Sequence, residues 1–210
     1  MEWLRKLLAP SLKVPRYGVE ADGVDPIDWK ELENRLVGLT DQILSGFSKK
    51  HEGETFYGLA FDCNSESGEI LVCLNTREGQ IEVAGQFEGT KLYREKSISE
   101  IAAELEWDLG GWKYHAINLG NRRWESSWGP VQMQITNATN IYLNSRNVSA
   151  YRLLRDSFMS VASSALLKAS RGDSVASLKK DAAFRVLSTD ESEGPTEGFQ
   201  RLSRIAASGT

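Results

Sequence analysis

The chain has few of the residues that build metal centres and catalytic sites. Its 210 residues include two cysteines and two histidines, and no pair of them stands at CxxC or HxxxH spacing. That scarcity disfavours a zinc site. A phosphate-binding GxxxxGK[ST] loop and a GxSxG nucleophile motif are also missing. The sequence therefore predicts no metal and no cofactor, and it carries no strong catalytic signature.

Long apolar runs are absent as well. The opening MEWLRKLLAP is interrupted by Arg5 and Lys6 and stopped by Pro10, so it is too short for a membrane span and unlike a signal peptide. With 40% apolar residues, 26% charged residues and a mean hydropathy of -0.38, the composition is typical of a soluble globular protein. We expect a cytoplasmic protein without a membrane partner.

The two cysteines, Cys63 and Cys73, lie in apolar runs joined by NSESG, which is typical of a hairpin loop. If residues 65–67 form the loop, Phe61 pairs with Leu71 and both cysteines share one face of the hairpin. They then stand about 13 Å apart, too far for a disulfide. We predict two reduced, buried thiols.

Hydrophobic periodicity indicates helices near both ends of the chain and strands between them. Helices are predicted at 28–50, from Ser97 or Ser99 to 107, from 147 to about 172, at 174–180 and at 196–207, and strands at 55–63, 69–75, 112–119, 131–135 and 183–188. Strands and helices do not alternate regularly, which argues against a doubly wound fold. We predict a single α+β domain over residues 28–210, preceded by an extension and linker over residues 1–27. Its antiparallel or mixed sheet has a central hairpin and packs against amphipathic helices.

The net charge of -4 hides an uneven distribution. Residues 54–110 carry 4 basic and 12 acidic side chains, whereas residues 111–185 carry 11 basic and 4 acidic ones. Two explanations remain open: the two segments neutralise each other in the fold, or the first presents an acidic face to a basic partner. The candidate acidic face comprises Glu66, Glu69, Glu78, Glu82 and Glu88.

Residues 107–128 hold four of the six tryptophans and one of the two histidines. The candidate aromatic cluster comprises Trp107, Trp112, Tyr114, His115, Trp124 and Trp128. It is either a part of the core or the wall of a cleft. Arg122 and Arg123 beside Trp124 are typical of a single-stranded nucleic-acid site. An acidic chain without an extended basic run argues against that reading, and we predict no nucleic-acid partner.

Five short motifs form a recognisable pattern along the chain. They are DWKELENRL at 28–36, FYGLAFD at 56–62, the pair Asn75-Thr76, WDLGGWKYH at 107–115 and AFRVLSTDE at 183–191. The pattern resembles the uncharacterised bacterial family catalogued as domain of unknown function 4303, over about residues 28–207 and most strongly over 28–76 and 107–115. The resemblance implies no catalytic residues. It implies a setting near secreted bacterial toxins, in which a small cytosolic protein neutralises its cognate toxin.

Two functions of different classes follow. The first is a non-enzymatic cytoplasmic binding protein, an immunity protein whose partner is a basic protein such as a cognate toxin. The second is a small enzyme or ligand-binding module with an aromatic cleft around Trp112, Tyr114, His115, Trp124 and Trp128, in which His115 acts as acid or base. The second function requires these side chains to converge on one pocket.

Overall fold

The computed structural model describes residues 24–208, so most of the expected extension at residues 1–27 lies outside the described residues. The helices there are α1 (Trp29–Lys50), α2 (Arg77–Phe87), α3 (Ile98–Glu104), α4 (Arg122–Asn144), α5 (Val148–Ala169), α6 (Asp173–Ala176) and α7 (Pro195–Ala207). The strands are β1 (Phe56–Asn64), β2 (Glu69–Thr76) and β3 (Lys180–Asp190). The predicted α+β class is confirmed.

The sheet is mixed. Its strand order is β2-β1-β3, with β1 antiparallel to β2 and parallel to β3. A short segment after residue 113 covers the outer edge of β2: Tyr114 and Leu74 exchange backbone hydrogen bonds, and the Asn118 side chain bonds Val72 N–H and Ile70 C=O. Asn118 thus takes the place of a neighbouring strand's peptide group, so this edge is not left open.

The register of the hairpin differs by one residue from the expected one. Its loop is residues 65–68, closed by Gly68 at a φ of 70°, so Ala60 pairs with Cys73 and Cys63 with Ile70. A slip of one residue turns every side chain to the other face. The expectation that the two cysteines share a face is therefore wrong, while both thiols are free and buried as predicted.

One face of the sheet carries the main core. Helices α1, α4 and α5 bury their apolar stripes against Leu59, Phe61 and Val72. Asp28 caps α1 by accepting a hydrogen bond from Glu31 N–H, and Asn147 caps α5 in the same way from Ala150 N–H. These capped, periodic segments are the helices that the sequence predicted best.

The opposite face carries a thinner cover. Leu109 and Trp112, from a loop that includes a 3₁₀ turn (Leu109–Gly111), pack on Tyr57 and Cys73. Helix α7 lies along β3, and Gly198 permits the approach, because a Cβ there would stand 2.5 Å from the Ser188 carbonyl oxygen.

Four expected elements need correction. The expected helix at 174–180 is a single turn, Asp173–Ala176, and Lys180 already belongs to β3. The expected strand at 131–135 lies inside α4, where Val131 and Ile135 are buried and Met133 is 65% exposed, which is the i, i+4 spacing of a helix. The expected strand at 112–119 is reduced to the single bridge at Tyr114, because Ala116 has a φ of 59° that breaks the extended chain. The helix capped by Ser97 ends at Glu104, not at residue 107.

In the part of the chain that the structure describes, no helix has the length and apolar character needed to cross a lipid bilayer.

Candidate functional site

The structure separates the four candidate tryptophans into two pairs. Trp124 and Trp128 lie one helical turn apart on α4, 5% and 1% exposed, within the main core. Trp128 donates its indole N–H to the Gly68 carbonyl and so holds the hairpin loop against α4. Trp107 and Trp112 pack on the other face of the sheet, with ring centroids 5.4 Å apart. The two pairs share no cleft.

Tyr114 belongs to a third environment. Its ring packs edge-on against Phe47, and its hydroxyl donates to Glu54, which also accepts hydrogen bonds from Lys113 and His51. Burial opposes ionisation of Glu54, but these donors outweigh it and lower its pKa to about 2. A carboxylate held by three donors ties the end of α1 to the segment that covers β2, and it is a poor proton acceptor near neutral pH.

His115 occupies a fourth environment. Its Nε2 lies 3.2 Å from Asp62 Oδ2, and about a third of its side chain is exposed. A histidine oriented by a carboxylate is the arrangement of a general base. On the same face of β1 and β2 lies Cys73, whose pKa burial raises to about 12, so it remains a thiol. The His115–Asp62 pair therefore has no activated nucleophile at this position.

These environments do not form the pocket that the enzyme hypothesis requires. Trp112, Tyr114, His115, Trp124 and Trp128 contact different parts of the sheet and its helices. Between residues 24 and 208, no group of three or more histidine, cysteine, aspartate or glutamate side chains is placed to hold a metal ion.

The acidic candidates also fall into two groups. Glu66 and Glu69 lie at the hairpin end of β2, where Glu66 accepts a hydrogen bond from Tyr151. Glu78, Glu82 and Glu88 lie on α2 or directly after it, at the other end of the strand. At about 3.4 Å per residue, the length of β2 separates the two groups by roughly 24 Å.

The three glutamates of α2 differ from most carboxylates around them. All three are exposed, and none makes a hydrogen bond or ion pair with any residue between 24 and 208. Elsewhere in the acidic segment, Glu54 pairs with Lys113, Glu104 with Lys96 and Glu106 with Arg77. Of these pairs, only that of Glu54 draws on residues 111–185, so neutralisation by that segment is partial within the described residues. Glu78, Glu82 and Glu88 make up half of the carboxylates of residues 54–110 that have no partner among residues 24–208; the others are Glu69, Glu95 and Asp108.

An apolar side chain accompanies these charges. Ile81 is 55% exposed and follows Glu78 by three residues, so these two share a face of α2, whereas Glu82 lies about 100° further round the helix. We call Glu78, Ile81, Glu82 and Glu88 the α2 face. An exposed aliphatic group beside unpaired charges is the composition expected of a contact surface.

The α2 face is held firmly on the sheet. Thr76 caps the helix by accepting from Gly79 N–H, and Arg77 bonds the carboxylates of Glu106 and Asp181. The Arg77 guanidinium also lies 4.1 Å from the centre of the Tyr57 ring.

Buried hydrogen bonds fix the Tyr57 ring, on which Arg77 stacks, and the Trp112 ring next to it. The Tyr57 hydroxyl donates to the Glu106 carbonyl and accepts from Asn75, and the Trp112 indole donates to the same carbonyl. Burial raises the pKa of the Tyr57 hydroxyl, which stays a donor. The network sets where α2 projects from the domain.

The sequence of α2 does not favour the helix that it forms. Gly79 and Gly85 each weaken it, and Glu88 places a negative charge at the helix C-terminus, where no basic residue offsets the dipole. Packing requires Gly79, because a Cβ there would stand 2.7 Å from Lys113 Cβ and 2.8 Å from Asn75 Oδ1, whereas a Cβ on Gly85 would meet nothing within 4 Å.

Periodicity failed to reveal α2 because its apolar stripe is weak. The signal that was available lies in its capping residues: Thr76 at the N-cap with Glu78 in the first turn is typical of a helix start. The exposure of Ile81 could not be predicted from the sequence, because it depends on which side of α2 packs against the rest of the domain.

Comparison of the chain with protein-family models, curated proteins and solved structures finds no match. The resemblance to domain of unknown function 4303 accordingly stays a prediction.

Proposed function

We propose that the protein is a non-enzymatic binding protein that holds a basic protein partner on the α2 face. The observation that carries this proposal is the set of three exposed glutamates without an internal partner, beside the exposed Ile81. Unpaired carboxylates attract a basic surface over a distance of about one Debye length, and an aliphatic group beside them adds desolvated contact.

We propose further that the partner is a bacterial toxin and that the protein is its immunity protein in the cytoplasm. An inhibitor of this kind needs a rigid surface of complementary charge and no catalytic residues. The anchored α2 meets that need, because Arg77 and the Thr76 cap fix its position before binding. The two buried thiols suit a reducing compartment.

The test is a rescue experiment. The product of a gene adjacent to this protein's own is expressed under an inducible promoter, with or without the protein, and cell survival and co-purification are scored. We expect a toxic neighbour whose effect the protein suppresses and with which it co-purifies.

The variant with Glu78→Gln, Glu82→Gln and Glu88→Gln should lose rescue. A matched variant with Glu52→Gln, Asp156→Gln and Glu191→Gln removes the same charge from exposed positions elsewhere and should retain it. Survival that is the same with both variants would rule out the α2 face, and the absence of any rescued toxicity would rule out the immunity role.

A further inference from the structure

A second surface, distinct from the α2 face, combines an arginine with two aromatic rings. The Arg185 guanidinium of β3 lies 3.8 Å from the centre of the Phe199 ring of α7 and 5.9 Å from that of Trp107. The two rings meet edge to face, with centroids 4.9 Å apart. Stacking on the rings holds the guanidinium plane in place while its N–H edges remain available to a ligand.

The charge of Arg185 is not used within the fold. Its guanidinium makes no ion pair and no hydrogen bond with residues 24–208, whereas Arg77, Arg155 and Arg201 all bind carboxylates. The Arg204 side chain on α7 is similar, since its one hydrogen bond within the same part of the chain is from Nε to the Gln200 carbonyl. Two guanidinium groups on neighbouring elements therefore have donors without internal acceptors.

Phe199 links this cation to a surface depression of about 550 Å³. The described residues that line it are Thr196, Phe199, Gln200, Ser203 and Arg204. All five belong to α7, so the depression is a shallow one on the outer face of that helix, and its lining combines one aromatic ring, hydroxyl and amide groups and a guanidinium. A ligand there can place an apolar part against Phe199 and an anionic part at the Arg204 guanidinium, with Arg185 stacked on the same phenyl ring.

We propose that this surface, formed by Arg185, Phe199, Trp107 and Arg204, binds a small organic anion whose carboxylate or phosphate is attached to a flat apolar group. Guanidinium donors match the paired oxygens of both anions. The ring is required because Phe199 forms the apolar part of the depression.

The experiment is a titration of the whole protein followed by ¹H–¹⁵N correlation spectra. The probes are phenyl phosphate, phenylacetate, inorganic phosphate and benzyl alcohol, which separate the contribution of the anion from that of the ring. We expect the first two to shift the amides of Arg185, Phe199 and Ser203 saturably, and the last two to bind at least several-fold more weakly. Whichever aromatic anion binds more tightly identifies the anionic group.

Arg185→Gln should weaken binding roughly tenfold, as expected for the loss of charge-assisted hydrogen bonds. Arg122→Gln removes another exposed arginine, on α4, and should leave the affinity unchanged. Phe199→Leu should weaken the aromatic anions and leave inorganic phosphate unaffected. Equal affinities for the two arginine variants, or shifts that map away from α7, would overturn the proposal.

Discussion

The helices on the two sides of this domain use their side chains differently. Helices α1, α4 and α5 bury long apolar stripes, and a buried carboxylate is bound between two of them: Glu33 of α1 pairs with Lys168 of α5 and accepts a hydrogen bond from Ser164. Helix α2 buries only Gly79, Gln80 and Ala84. It leaves its glutamates unpaired within the described part of the chain and Ile81 exposed.

We infer from this difference that the α1, α4 and α5 layer serves stability and that the α2 face serves recognition. Removing a group from the α1, α4 and α5 layer takes away a contact on which folding depends, whereas removing a group from the α2 face takes away a contact that the domain does not make with itself. The same kind of substitution should therefore lower the free energy of unfolding strongly in the α1, α4 and α5 layer and hardly at all on the α2 face.

The largest difference is expected between two isoleucines. Ile135 of α4 is fully buried, so Ile135→Ala should lower the free energy of unfolding by about 2–5 kcal/mol through lost burial and a cavity. Ile81→Ala on α2 should change it by less than about 0.5 kcal/mol, because Ile81 is exposed and alanine favours the helix. Urea unfolding of both variants measures the contrast. Equal losses in the free energy of unfolding would show that α2 packs into the core as α4 does.

A smaller contrast is expected between two acidic groups. Asp190 is 2% exposed and accepts hydrogen bonds from Ser65, Arg155 and Ser192, which join the hairpin, α5 and the loop after β3. Asp190→Asn should cost about 2–3 kcal/mol, since it removes hydrogen bonds to a charged group.

Glu82→Gln provides the comparison on α2 and should cost less than about 0.5 kcal/mol. Thermal unfolding of the two variants at one pH is sufficient. If Glu82→Gln destabilises as much as Asp190→Asn, Glu82 has an internal role.

Acid should destabilise the fold mainly by protonating Glu33 and Glu54. Burial opposes ionisation of Glu33, yet hydrogen bonds from Lys168, Lys30 and Ser164 lower its pKa to about 2, as the donors around Glu54 do for that group. The ordinary value is 4.5. A lowered pKa in the folded state stabilises the protein above pH 4.5, and this contribution is lost as the pH falls toward 2.

The double variant with Glu33→Gln and Glu54→Gln should therefore lose stability near neutral pH and show a flatter decline between pH 4.5 and 2. Urea midpoints across that range report the slope. An unchanged slope would mean that other carboxyl groups govern acid unfolding.

The smallest effect on stability is expected for Arg77, which holds α2 on the sheet. Arg77→Met should leave the global free energy of unfolding within about 1 kcal/mol, because Arg77 is partly exposed and its ion pairs are screened. It should raise hydrogen exchange in α2 without raising it in α4. Faster exchange in both helices would show that the two regions unfold together.

The sequence predicted the core layer well because local signals and tertiary packing agree there. Trp29, Leu32, Leu36 and Leu39 recur at helical spacing, and Asp28 caps the helix that they form. The α+β class follows from such segments together with the apolar hairpin.

The rest depends on packing that one sequence does not reveal. Val131 and Ile135 suit a strand or a helix equally, and only burial against the sheet distinguishes them. The hairpin register depends on whether Gly68 belongs to the loop, which reversed the face of Cys73. The tryptophans are close in sequence, but α4 carries one pair to the far side of the sheet from the other.

The most direct test of the α2 face is an affinity measurement on the complex with the basic partner identified by rescue. Isothermal titration compares the native protein, the Glu78, Glu82 and Glu88 triple glutamine variant, and the matched triple variant at Glu52, Asp156 and Glu191. Three charge contacts of about 0.5–1 kcal/mol each correspond to a loss of roughly tenfold or more for the first variant. We expect that loss, with less than a twofold change in the matched variant. Equal affinities for the two variants would contradict the α2 face as the binding surface.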